Sequence, residues 1–93
     1  MAEINVSTSQ RDDTYYFQVT VKEVGSETHH QVTLSEVDYE RLTHGEVSPE
    51  RLVTESFRFL LEREPKESIL RSFQLTVISR YFPDYEREIA ARL

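Results

Sequence analysis

The spacing of apolar residues changes once along this chain, near Ser35, and that change limits what the chain can fold into. Tyr15, Phe17, Val19 and Val21 recur at every second position and share one face of an extended strand. Val53, Phe57, Leu60 and Leu61 recur at helical spacing instead. Strands followed by helices, in a chain of 93 residues, predict a single α+β domain with a sheet half at 1–34 and a helical half at 35–93.

Within the first half, Ile4 and Val6 alternate with polar neighbours, Gln10 to Asp13 is a polar turn, and Thr14 to Val24 carries the strongest strand pattern. A second turn at Val24-Gly25-Ser26-Glu27 leads into Thr28 to Leu34, with His30, Val32 and Leu34 on one face. A three-stranded antiparallel meander is expected, with one apolar face that helices must cover.

Ser35 reads as the N-cap of a short helix that ends at Gly45, and Ser48-Pro49-Glu50 as the start of the main helix, which runs to about Glu64 before Pro65. The apolar residues of that helix, Leu52, Val53, Phe57, Leu60 and Leu61, cover about half its circumference, and Phe59 extends the arc. So wide an arc needs two contact surfaces: the sheet on one flank, and the later helices or a second subunit on the other. Past Pro65, the spacing of Ile69, Leu70, Phe73, Val77, Ile78, Tyr81 and Phe82 predicts two short helices divided near Gln74-Leu75-Thr76. Pro83 opens a last helix with Tyr85, Ile89 and Leu93 on its stripe.

Composition removes several function classes. The chain has no cysteine, so disulfides, thiol nucleophiles and thiolate zinc sites are excluded and a reducing cytoplasm is the expected location. The N-terminus lacks the basic and apolar regions of a signal peptide, and no apolar run is long enough to span a bilayer. The net charge is −6 and lies in the first half: residues 1–46 hold Arg11, Lys22 and Arg41 against nine acidic residues, whereas residues 47–93 balance eight against eight. An acidic sheet repels phosphate backbones and anionic lipid, so any nucleic-acid contact belongs to the second half.

The segment 66–82 has the layout of a helix-turn-helix, with Arg80 placed to read guanine and Ser79 to hold a phosphate. Its turn lacks glycine, Pro83 ends the second helix after six or seven residues, and Val77, Ile78, Tyr81 and Phe82 look committed to packing. His29 and His30, adjacent in a strand, point to opposite faces and cannot share a metal ion, and His44 sits at a helix end. No metal or cofactor site is expected. The many carboxylates and serines have neither a nucleophile elbow nor a glycine-rich phosphate loop beside them, so no catalytic residue is assigned. Aromatic residues carry more information. Tyr16 lies on the strand face opposite Tyr15 and Phe17, and Phe59 lies off the main helical stripe. With Arg80 and Tyr81 they are the expected interaction residues. The free edges of a small sheet are a further template for pairing.

The blocks ESFRFLLEREPKESILRSF and VISRYFPDYE, in the C-terminal half, resemble those of a group of small uncharacterised bacterial proteins. That resemblance implies a bacterial source and no particular activity. The order of meander then helix is similar, more distantly, to small antitoxins of the HicB type, a likeness of layout over the first two thirds without a shared motif. The expected function is therefore a non-enzymatic bacterial interaction or regulatory module that binds a protein partner and self-associates through an aromatic surface. The alternatives are a DNA-binding autoregulator using residues 66–82, and a small enzyme built on a carboxylate or histidine.

Overall fold

A computed structural model describes residues 2–93. Three long strands, β1 (Glu3–Arg11), β2 (Thr14–Glu23) and β3 (Ser26–Ser35), form the antiparallel meander. Each turn has two residues and uses the left-handed region that tight hairpins require: Asp12 at φ 56° in the first and Gly25 at φ 81° in the second. The alternation read in the sequence sets the register. Ile4, Val6 and Thr8 lie beside Val21, Val19 and Phe17 on the inner face, and Ser7 and Ser9 lie beside Gln18 and Tyr16 on the outer.

The helices begin at α1 (Glu36–Thr43) and α2 (Pro49–Leu61). Ser35 Oγ accepts a hydrogen bond from the Asp38 amide at 3.1 Å, and Ser48 Oγ accepts one from the Arg51 amide at 3.1 Å, so both serines cap as their sequence context predicts. The left-handed residue that ends α1 is His44, at φ 56°, one position before the expected Gly45. α2 ends at Leu61, earlier than Glu64, and the amides of Arg63 and Glu64 both bond back to the Leu60 carbonyl.

Past Pro65 the chain departs from the expected pair of short helices. A single 3-10 turn at Lys66–Ser68 leads into a fourth strand, β4 (Ser72–Gln74), and a second 3-10 turn at Leu75–Val77 runs directly into the one-turn helix α3 (Ile78–Tyr81). β4 pairs in parallel with β3, Val32 beside Phe73, so the sheet has four strands in the order β1-β2-β3-β4. Ile69 and Phe73 are four residues apart, which reads as one helical turn, yet the spacing is met by an irregular segment followed by an extended one. The last helix, α4 (Tyr85–Arg92), starts two residues beyond Pro83.

α2 lies between two partners in its own chain, β1 on one side and α4 on the other. The second flank of its wide apolar arc is therefore filled by α4. Phe17, Val19, Val21, Val32, Leu34, Leu52, Val53, Phe57, Leu75, Tyr85 and Ile89 are all buried in one cluster that joins sheet and helices.

Candidate functional site

An apolar groove of about 130 Å³ opens between the end of α2, the segment before β4, and α3. Leu60, Ile69, Phe73 and Phe82 form its floor and sides, and Leu70 and Tyr81 stand at its rim. Leu70 is 46% exposed and Tyr81 65% exposed, a large fraction for side chains of this size beside an apolar recess. Local geometry places them. Ile69 and Leu70 are consecutive in non-helical chain, so the buried Ile69 turns Leu70 outward. Tyr81 ends a helix of one turn whose buried residue is Ile78.

The wall carrying Leu70 is held by His30. This imidazole is 2% exposed, its Nδ1 lies 2.8 Å from the Leu70 carbonyl oxygen, and its Nε2 lies 2.8 Å from Thr28 Oγ1. A carbonyl can only accept, so Nδ1 donates. The ring also meets Phe57 edge-on at 5.3 Å.

Glu64 supplies the groove with its one acidic side chain. Among the described residues its carboxylate has no hydrogen-bond or ion-pair partner, and burial pushes its carboxyl above the ordinary carboxylate range. Two other displaced carboxyls are held by cations. Arg92 holds Glu62 down and Lys66 holds Glu67 down. The Thr8 hydroxyl lowers Glu50 from beside it, although that hydroxyl reaches no partner in hydrogen-bond geometry. The groove thus combines apolar surface, a phenol and a single uncompensated negative charge.

The four expected interaction residues fall in three places. Tyr81 lines the groove and Arg80, exposed, is its neighbour on α3. Tyr16 lies on the uncovered outer face of the sheet, with the Arg11 guanidinium 5.3 Å from its ring centre. Phe59 corrects the expectation of a surface anchor: it is fully buried, edge-on to Phe82 at 5.9 Å and Tyr85 at 5.4 Å, and covered by the Arg63 guanidinium at 3.6 Å. Its off-stripe position serves α4. The helix-turn-helix expectation is corrected as well, because residues 66–82 contain two 3-10 turns, a strand and a helix of four residues. That is too short to lie along a major groove.

A second cleft, about 260 Å³, lies between His29, Lys66 and Arg71. Lys66 is buried there, and its Nζ bonds Glu23 at 2.8 Å and Glu67 at 2.7 Å. The Lys66 amine and both nitrogens of the adjacent His30 already have partners, whereas the Arg71 guanidinium makes no hydrogen bond or ion pair among the described residues. His29, on the opposite strand face from His30, meets Glu27 at 2.8 Å at the margin of the cleft. Among the described residues no three histidine, aspartate or glutamate side chains gather as a metal site would require. No helix among them is long and apolar enough to cross a membrane.

In the sequence Leu70 and Phe73 read only as positions of a helical stripe, and Glu64 only as the end of the main helix. The adjacent pair Ile69-Leu70 was the available signal, since outside a helix two neighbouring apolar residues cannot both face one core. Comparison of the chain with protein-family models, with curated proteins and with solved structures finds no match.

Proposed function

We propose that this chain is a non-enzymatic protein-interaction module, of the small bacterial regulatory kind suggested by its sequence blocks, and that its partner enters the groove at Leu70 and Tyr81. The observation that supports this most is the juxtaposition of two exposed large apolar side chains with an unpaired carboxylate at one recess. Apolar anchors contribute most of the binding energy in such surfaces, and a lone charge selects orientation. A partner segment with an apolar side chain beside a lysine or arginine matches both features.

Arg80 is exposed beside Tyr81 on α3 and does not line the groove. A DNA-binding reading would need it on a helix long enough to follow the major groove, and α3 has four residues. The titratable groups with shifted behaviour are accounted for by ion pairs, by hydrogen bonds or by simple burial, which favours binding over acid-base chemistry.

The test is affinity capture from the native cell at moderate salt, before and after nuclease treatment, comparing the wild-type chain with Tyr81→Asp and Glu64→Lys. We expect one nuclease-resistant protein in stoichiometric amount, lost with either variant while both remain folded by circular dichroism. Nucleic-acid-dependent recovery, or recovery indifferent to both substitutions, would overturn the reading.

A further inference from the structure

We infer that a second copy of this chain pairs with the open edge of β1, antiparallel about Ser7, to join two sheets into one of eight strands. β1 is the outermost strand of the sheet and has β2 as its one neighbour. It contains no proline, and its charged residues, Glu3 and Arg11, stand at its two ends. The usual devices that blunt an edge, a proline or an inward charge in mid-strand, are missing from it.

The hairpin turn fixes which backbone groups face outward. A two-residue turn makes Arg11 and Thr14 the closing hydrogen-bonded pair, and the alternation of an antiparallel ladder then directs residues 3, 5, 7, 9 and 11 at β2. The N–H and C=O groups of residues 4, 6, 8 and 10 point to the free edge. Antiparallel self-pairing centred on Ser7 sets Ile4 opposite the partner's Gln10 and Val6 opposite the partner's Thr8, so every outward group meets another outward group. It also sets Glu3 opposite the partner's Arg11, twice, by symmetry.

Charge selects this register over its neighbours. Sliding by two residues keeps the backbone bonds but leaves Glu3 and Arg11 opposite neutral residues or beyond the strand. Parallel pairing in register would set like charges side by side. On the inner face Arg58 already bonds Glu55 at 2.7 Å, so charge selection of the register rests on the Glu3–Arg11 pairs alone. The inner side chains Ile4, Val6 and Thr8 are only half-buried, and a groove of about 420 Å³ between Ile4, Arg58 and Leu61 opens at the Ala2–Ile4 end of this strand. A second copy would cover them. The groove at Leu70 and Tyr81 lies toward β4, at the other edge of the sheet, and stays open in such a pair, so this inference does not depend on the proposed function.

The chain has no cysteine, which allows a register-specific test. In the pairing proposed, the two Ser7 residues form a non-hydrogen-bonded pair with Cα atoms about 4.5 Å apart, within disulfide reach. The two Asn5 residues are offset by four positions, about 13 Å. Ser7→Cys is expected to form a covalent dimer under mild oxidation at least about tenfold faster than Asn5→Cys. The unmodified protein should sediment as a concentration-dependent dimer. Arg11→Glu should weaken it roughly tenfold, and Glu3→Arg combined with Arg11→Glu should restore it. A monomer at all concentrations, or Asn5→Cys coupling as fast as Ser7→Cys, would overturn the inference.

Discussion

The Nδ1 nitrogen of His30 lies 2.8 Å from the carbonyl oxygen of Leu70, so a buried side chain of the sheet positions an exposed residue of the groove. Nearby, the Gln31 amide bonds the Arg71 carbonyl at 2.7 Å. The side chain and the backbone of consecutive β3 residues therefore hold one short segment from two directions. Its hydrophobic anchor is the buried Ile69, and the two hydrogen bonds define where Leu70 stands.

His30→Leu is expected to keep the fold while leaving the Leu70 carbonyl and the Thr28 hydroxyl without this partner, at a cost of about 1–3 kcal/mol. Chemical denaturation measures the loss. Hydrogen exchange should also quicken selectively in residues 69–74, since the tie removed is local.

Where α4 docks on α2, one buried polar pair lies within the apolar contact. Ser56 Oγ donates to the Leu52 carbonyl at 2.7 Å, which leaves the Tyr85 hydroxyl, 2.6 Å away, to donate to Ser56. Burial pushes the Tyr85 phenol far above its ordinary range. Ser56→Ala should cost about 1–3 kcal/mol by stranding that hydroxyl, and Tyr85→Phe about 0.5–1.5 kcal/mol. The double variant should cost less than the sum, and a double-mutant cycle in denaturant measures the difference.

Phe59 is a core residue, and substitution should behave accordingly. Phe59→Ala is expected to destabilise by about 3–5 kcal/mol, and Phe59→Asp to prevent folding altogether. A folded Phe59→Asp protein, judged by near-ultraviolet circular dichroism, would contradict the packing described. Its sequence position was readable, but its partner was not: an apolar residue at the margin of a helical arc faces either solvent, a subunit or a later helix, and periodicity does not distinguish them.

Glu64 carries a pH signature. Because burial raises its carboxyl in the folded protein, folding holds the proton more tightly than the unfolded chain does, and stability falls as pH rises through the window above the ordinary carboxylate value. Glu64→Gln should therefore raise the thermal midpoint at pH 7 and leave it nearly unchanged at pH values where Glu64 is protonated. Glu62 and Glu67 run the other way. Their carboxyls are held down by Arg92 and Lys66, so their contribution is present above the ordinary carboxylate value and is lost as pH falls below it.

The meander, both capping serines and the outward position of Tyr16 were legible in the sequence because each depends on residues close together in the chain. β4 was not, because three residues are too few to show alternation and their pairing with Val32 is parallel and distant. The groove was legible in part through Tyr81. Its remaining walls come from three other segments, and only the fold brings them to one place.

The most direct measurement is photo-crosslinking in the native cell with a benzophenone side chain placed at Leu70, and at Gln18 on the outer sheet face as a control. The account predicts one discrete protein adduct from position 70, abolished by Tyr81→Asp and absent from position 18. Equal adducts from both positions, or none from position 70 in the folded protein, would contradict it.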